Sequence, residues 1–394
     1  GALSALTWLD LNDNKLTGTL PTELGQLTAL ERLNAATNFL TGPLPTHLGQ
    51  ATSLIELFLD ENDLTGQLPT EIGRCRTLTL LWIGINHLTG TLPTELSKLS
   101  ALEYLYVSKN SLTGTIPTEF GQLTALASVG IDQNSFTGTL PTALGAIINL
   151  PRFNADHNRL TGTLPTQLGS WSALTLFSMQ SNGITGTVPT EFGLLSSLQS
   201  LDLYNNSLYG TLPSELGQLT ALIWLNVANN GFLGTLPKVN NLSNFQVYEV
   251  STNRFTGTIP AWLSEMTSLN DFSVSNNSLT GTLPTELGQL TFLQYLFVNN
   301  NTLTGTLPTE LGQLTALQYL DLSDNDFTGA FPKELVQSSG LIGLDVSLNA
   351  LTGTIPTELA LLSNMTIFSF YQNNLTGSVS DVLCFDTSNS SRNW

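Results

Sequence analysis

The chain has 394 residues, with 30 acidic side chains against 12 basic ones and a formal charge of −18 at pH 7. So acidic a chain, with its few Lys and Arg scattered, is a poor partner for nucleic acid or an anionic membrane surface. No apolar run of about eighteen residues and no basic-then-apolar leader occurs, so it is expected neither to span a membrane nor to show an export signal of its own.

Sixteen asparagines, from Asn14 through Asn38, Asn62 and Asn86 to Asn373, recur every 24 residues, except for an interval of 23 between Asn230 and Asn253. A period in this range marks a stack of one repeated unit. Each unit opens on L-x-L, as at Leu9 and Leu11, whose alternation predicts a short strand with both leucines pointing inward. Asn14 follows where the chain turns out of that strand, and its amide is placed to satisfy backbone groups that would otherwise be buried unpaired. The next stretch, L-T-G-T-L-P, again alternates: Leu16, Gly18 and Leu20 are expected to face in and Thr17 and Thr19 out, with Pro21 ending a second, smaller strand. T-E-L-G-x-L then reads as one helical turn with Thr22 as N-cap, Glu23 in the first turn and Gly25 as closing residue.

This unit is a leucine-rich repeat, and its L-T-G-x-I/L-P segment resembles the plant-type repeat of receptor-like kinase ectodomains, receptor-like proteins and polygalacturonase-inhibiting proteins. The resemblance implies an α/β solenoid: a right-handed curved superhelix with a concave parallel β-sheet, a second short β-sheet and 3-10 or helical turns on the convex side. One solenoid domain is expected over 1–379 and a partial C-terminal cap with a polar tail over 380–394, since a solenoid grows by adding neighbours. Gly1 aligns with Gly25, so the sequence starts in mid-repeat and reads as a mature or trimmed piece of a longer protein.

Cys75 and Cys384 lie about thirteen repeats apart; at about 4.8 Å per stacked strand they cannot pair within one molecule. Cys75 reads as a free or half-buried thiol, while the segment around Cys384 resembles the start of a cysteine-bearing C-terminal cap, whose partner cysteine is expected beyond Trp394. Acceptor triplets for N-glycosylation occur at Asn205, Asn241, Asn276, Asn300, Asn364, Asn374 and Asn389. Together with the resemblance they predict a secreted or cell-surface glycoprotein.

Signs of chemistry are few. His47, His87 and His157 occupy different repeat positions, so no metal cluster follows. No phosphate loop or nucleophile elbow stands out, no cofactor is implied, and single carboxylates such as Asp132, Asp156 and Asp202 on an open sheet do not make a water-excluding cleft. A non-enzymatic protein is predicted. Glutamates at one repeat position, Glu23, Glu71, Glu95 and their equivalents, read as complements to the helical turns, with a calcium- or mineral-binding stripe as the alternative.

Two surfaces are candidates for binding. Phe58, Trp82 and Tyr106 share one outward strand position in three successive repeats, with Tyr104 beside them. Such an aromatic strip on the concave face suits a protein, peptide or glycan ligand. A second strip holds Tyr295, Phe297 and Tyr319; Asp60, Asp132, Asp156, Asp202, Glu249, Asp321 and Asp345 dilute both. The other surface is the T-G-T array, unbroken through Thr89 and Thr91, Thr113 and Thr115, Thr137 and Thr139, Thr161 and Thr163, and Thr185 and Thr187. Its regular lattice resembles the faces of Thr-rich ice-binding proteins, one plant family of which is built on this repeat, which makes ice the alternative ligand. Near-identical repeats and the lack of a recognisable N-terminal cap raise a further alternative, head-to-tail assembly into an extracellular fibre.

Overall fold

The computed structural model describes residues 3–238 and 244–378. The chain packs as two compact units, Gly1–Leu208 and Tyr209–Trp394. In the first unit, three-residue strands run from Trp8–Asp10 through Glu56–Phe58, Leu80–Trp82 and Tyr104–Tyr106 to Ser200–Asp202, all parallel in one sheet. Neighbours pair without slip, Leu57 opposite Leu81 and Leu81 opposite Leu105. These central leucines are fully buried while both flanking residues face out, as period two requires. The second unit repeats the plan from Trp224–Asn226 to Ile367–Ser369. The shortened interval between Asn230 and Asn253 contains residues 239–243, which lie outside the described residues. So does the expected boundary at 379–380, and with it Cys384.

The asparagine ladder is built as the spacing predicts. Asn86 donates through Nδ2 to the carbonyls of Leu59, Ile83 and Gly84 at 3.0, 3.3 and 3.0 Å. Its Oδ1 accepts the buried N–H of Leu64 at 2.9 Å. Each rung therefore ties its own turn to the preceding coil. One feature of that turn is not visible as a motif: the residue before each ladder Asn is left-handed, with φ between 48° and 55°, from Asp13 to Gln372. Ile85 and Thr252 hold this conformation despite their β-branches, which costs on the order of 1–2 kcal/mol at each such site. The ladder bonds and the backbone bonds to the next coil, such as Ile85 N–H to Ser108 O at 2.9 Å, hold it in place.

Three expectations about the rest of the repeat need correction. Gly18 and its equivalents are not extended inward-facing residues; their φ values run from 75° to 99°. A Cβ on Gly114 would lie 2.6 Å from the Thr91 methyl, so glycine is needed both for backbone and for space. Thr22 is not the N-cap. The cap position is Pro21, with no side-chain cap bond, and Thr22 opens the 3-10 helix Thr22–Gln26, its hydroxyl donating to Glu23 Oε2 at 3.1 Å. Proline fits because its fixed φ leads into the turn and its carbonyl accepts the Leu24 N–H at 3.2 Å. Gly25 closes nothing: it lies inside that helix, where a Cβ would meet the His47 carbonyl oxygen of the next coil at 2.1 Å. Its role is to let successive helical turns approach closely. The glutamates do sit in the first turns, and Glu23 is held below the usual carboxylate range by its own backbone N–H and the Thr22 hydroxyl.

The core is mostly leucine with aromatic insertions. In the first unit Phe153, Trp171, Phe177 and Phe192 interlock with ring centroids 5.4–6.2 Å apart, and Trp171 Nε1 donates to Leu144 O at 2.9 Å. In the second, Tyr248 fills an inward leucine position between Phe245 and Phe272, and its hydroxyl is buried without a partner. Cys75 is fully buried rather than half-buried. Its thiol donates to Ala51 O at 3.4 Å, and burial pushes its pKa up to about 11, so it behaves as an inert core residue.

Candidate functional site

The in-register sheet brings the predicted aromatic residues together. Phe58 pairs across to Trp82 and Trp82 to Tyr106. Their ring centroids are 6.2 and 5.1 Å apart, and Tyr104 lies 6.4 Å from Tyr106. Strand alternation puts all four on the outer face of the sheet. They are not equally open: Trp82 and Tyr104 are 39% and 36% exposed, whereas Phe58 and Tyr106 are half-buried in the strip. Tyr106 leans over Gly130, where an added Cβ would lie 2.9 Å from its ring. The glycine that ends the strip thus also gives its last ring a seat. The second strip forms as well, with Tyr295 stacked on Tyr319 at 5.7 Å and Phe297 at 6.2 Å from Tyr295.

One neighbouring cluster escaped the sequence reading. Trp8, Arg32 and Glu56 follow one another at the first outward position of the sheet. The Arg32 guanidinium lies 4.8 Å from the Trp8 ring centroid and 2.5 Å from Glu56 Oε2. A cation held between an aromatic face and a carboxylate is a strong arrangement. The signal was available as a 24-residue spacing of an aromatic, a basic and an acidic residue.

The acids near the strips differ in their surroundings. Asp132 accepts from Ser108 in the preceding coil. Asp156 accepts from Ser178 at 2.6 Å and from the Gln180 amide at 3.1 Å. Asp202 accepts the Tyr204 N–H at 3.0 Å. Asp60 and Asp271 each keep one buried carboxylate oxygen without a partner. Burial pushes the pKa of Asp60, Asp202 and Asp271 up to about 6. Among the described residues no group of three or more His, Cys, Asp or Glu is arranged to hold a metal ion.

The threonine array is formed and exposed at every predicted position from Thr89 to Thr187. Its uniformity has a structural cause. First-row hydroxyls donate to the glycine carbonyl one coil back, as from Thr113 to Gly90, Thr137 to Gly114, Thr161 to Gly138 and Thr185 to Gly162 at 3.1–3.4 Å. Second-row methyls occupy the space that the next glycine leaves: a Cβ on Gly138 would lie 2.7 Å from the Thr115 methyl. Both rows serve to join coils. Of the glycosylation acceptors, Asn205, Asn276, Asn300, Asn364 and Asn374 are exposed, while Asn241 and Asn389 lie outside the described residues.

Comparison with known proteins adds to this geometry. The Leucine Rich Repeat family pattern matches residues 5–27, 101–123, 197–219, 268–290, 292–314 and 316–337. A leucine-rich repeat protein of Leptospira interrogans is 33% identical, with a TM-score of 0.75, over 95% of this chain and 92% of its own. The chain belongs to the leucine-rich repeat family. Its repeat is the plant-receptor type: the plant peptide hormone receptor RGFR1, solved with RGF2, is 34% identical with a TM-score of 0.93 over 95% of this chain. The ectodomain of the Arabidopsis thaliana receptor kinase GASSHO1/SCHENGEN3, solved with CASPARIAN STRIP INTEGRITY FACTOR 2, is also 34% identical, with a TM-score of 0.85 over 95% of this chain. This chain spans only 60% and 48% of those two receptor chains. No curated protein sequence matches it. No helix among the described residues is long and apolar enough to cross a membrane.

Proposed function

We propose that this chain is a non-enzymatic, extracellular recognition module that binds a peptide along the outer face of its first sheet, over Phe58, Trp82, Tyr104 and Tyr106. The carrying observation is the aromatic strip itself. Four rings lie within contact of one another on a face whose other outward positions are mostly polar, with Trp82 and Tyr104 open to solvent. Aromatic anchors of this kind give large contact area at small conformational cost. The peptide hormones in the plant receptor structures support a peptide over a glycan. N-glycans at Asn205, Asn276 and Asn300 belong to the same extracellular reading. Ice binding is not carried forward, because the threonine lattice is accounted for by coil-to-coil contacts, and no observation favours fibre assembly.

The test is the double substitution Trp82→Ala with Tyr106→Ala, assayed against peptides selected on the intact chain. Binding should fall at least a hundredfold, the effect of removing two central anchors. Partial burial of both rings predicts a modest drop in melting temperature as well, so circular dichroism is needed to verify the fold. Unchanged affinity in the folded variant would refute the assignment.

A further inference from the structure

We infer that the strip carries a cation socket at Asp60, and that the peptide it binds presents a Lys or Arg side chain there. The inference rests on the aromatic strip being the binding face and adds the chemistry it selects.

Asp60 stands two residues beyond Phe58, in the outward row formed by Ala36, Asp60, Gly84, Ser108 and Asp132 in successive coils. Other aspartates of that row are satisfied from adjacent coils. Asp132 takes its donor from Ser108 one coil before, and Asp156 takes one from Gln180 one coil after. The equivalent positions around Asp60 are Ala36 and Gly84, which carry no donor. One Asp60 oxygen accordingly has no partner although it is shielded from solvent. The Asp60 backbone N–H serves the carboxylate, but the shielded oxygen left over is unfavourable unless something supplies it a donor.

Gly84 contributes no side chain, and the Trp82 indole nitrogen lies over it, 3.7 Å from where a Cβ would stand. In the inferred complex an alkyl stem lies on Phe58 and Trp82, and its charged head displaces the cover over the Asp60 carboxylate between Ala36 and Gly84. Trp82 supplies an aromatic face and Asp60 the counter-charge. The same pairing already occurs within the chain, where Arg32 is held between Trp8 and Glu56. Local charge favours it, with Glu61 and Asp63 following Asp60 and a formal −18 on the chain as a whole.

The experiment is selection from a displayed library of random twelve-residue peptides on the full chain, followed by Kd measurements of the winners. Measurements use the unaltered protein, Asp60→Asn, Ala36→Ser and the Trp82→Ala, Tyr106→Ala double variant. Winners should carry Lys or Arg at one position. Asp60→Asn keeps the side-chain shape and should weaken them about ten- to hundredfold, as expected for loss of one charge-assisted hydrogen bond. Ala36→Ser keeps the carboxylate but gives it an internal donor, as Ser108 does for Asp132, and should weaken them several-fold. Replacing the basic residue by norleucine should remove both effects. Winners that lose affinity in the double variant but bind Asp60→Asn and Ala36→Ser as tightly as the parent would overturn the socket and leave the strip standing. Failure to recover any binder that depends on Trp82 would overturn both.

Discussion

Replacing Asn86 by Ala removes one rung of the ladder, and the structure sets the size of the loss. The N–H of Leu64, a residue 0% exposed, loses its Asn86 acceptor, at a cost of about 1–3 kcal/mol for a buried unsatisfied donor. The Leu59 and Gly84 carbonyls each lose a 3.0 Å bond but keep a second donor, the Asn62 amide at 3.3 Å and the Glu61 N–H at 3.1 Å, so each loss is worth about 0.5 kcal/mol. Ile83 O keeps the Asn110 amide at 3.1 Å and adds little. The expected total is about 3 kcal/mol, lost locally because coils contact only their neighbours. Hydrogen exchange followed by mass spectrometry should then show the segment around Leu64 and Asn86 exchanging at least a hundredfold faster, with distant coils little changed. Asn86→Asp separates the two halves of the rung. It retains the acceptor for Leu64 but points a carboxylate at three carbonyls, so it should be as destabilised as Asn86→Ala at pH 7 and recover partly in acid, where a protonated carboxyl donates again. A loss below about 1 kcal/mol for Asn86→Ala, or an Asp variant as stable as the parent at pH 7, would refute this account of the turn.

Other substitutions probe different contacts. Tyr248→Phe removes a buried hydroxyl without a partner and should raise stability by about 1 kcal/mol in urea titration; a loss of similar size would mean that the hydroxyl is satisfied. Gly73→Ala places a Cβ 2.4 Å from the Glu95 carbonyl oxygen and should lower the melting temperature clearly, whereas simple helix propensity predicts a gain. Asp271 has its pKa raised to about 6 by burial, with Glu249 adding to the effect. A carboxylate whose folded pKa lies above its unfolded value favours the folded state below about pH 4 and loses that contribution as pH rises through 6. Asp271→Asn should therefore gain stability relative to the parent at pH 7, by roughly 1 kcal/mol after solvent screening, and gain little at pH 4. An equal difference at both pH values would show that ionisation is not the cause.

What the sequence made legible follows from which contacts repeat. Leu57, Leu81 and Leu105 recur at fixed spacing because one packing problem recurs, so strand, ladder and register could all be inferred from period. The aromatic strip was legible for the same reason, since residues 24 apart must stack when the coil is constant. The errors fell where a residue's role depends on backbone conformation. Gly18 and Gly25 look alike in sequence, yet one supplies a left-handed turn and the other a close approach between coils. Thr22 looks like a cap, but Pro21 already fixes the entry and leaves the hydroxyl to Glu23. The Asp60 socket was missed because its signal is the absence of donors at Ala36 and Gly84, which becomes informative only when Ser108 and Gln180 are seen serving its equivalents.

The asparagine ladder also has a direction. Rungs such as Asn38, Asn86 and Asn110 reach back toward the preceding coil, so a coil relies on its successor to cap the N–H in its turn. A designed fragment cut ahead of a coil leaves a side-chain amide and a few backbone carbonyls, such as Tyr106 O and Ser108 O, for water to solvate. A fragment cut behind one strips the acceptor from a backbone group that is already enclosed. Shortened versions of either unit should accordingly tolerate trimming from the N-terminal side, coil by coil, and fray when trimmed from the other, so that the same number of deleted residues has unequal consequences at the two ends.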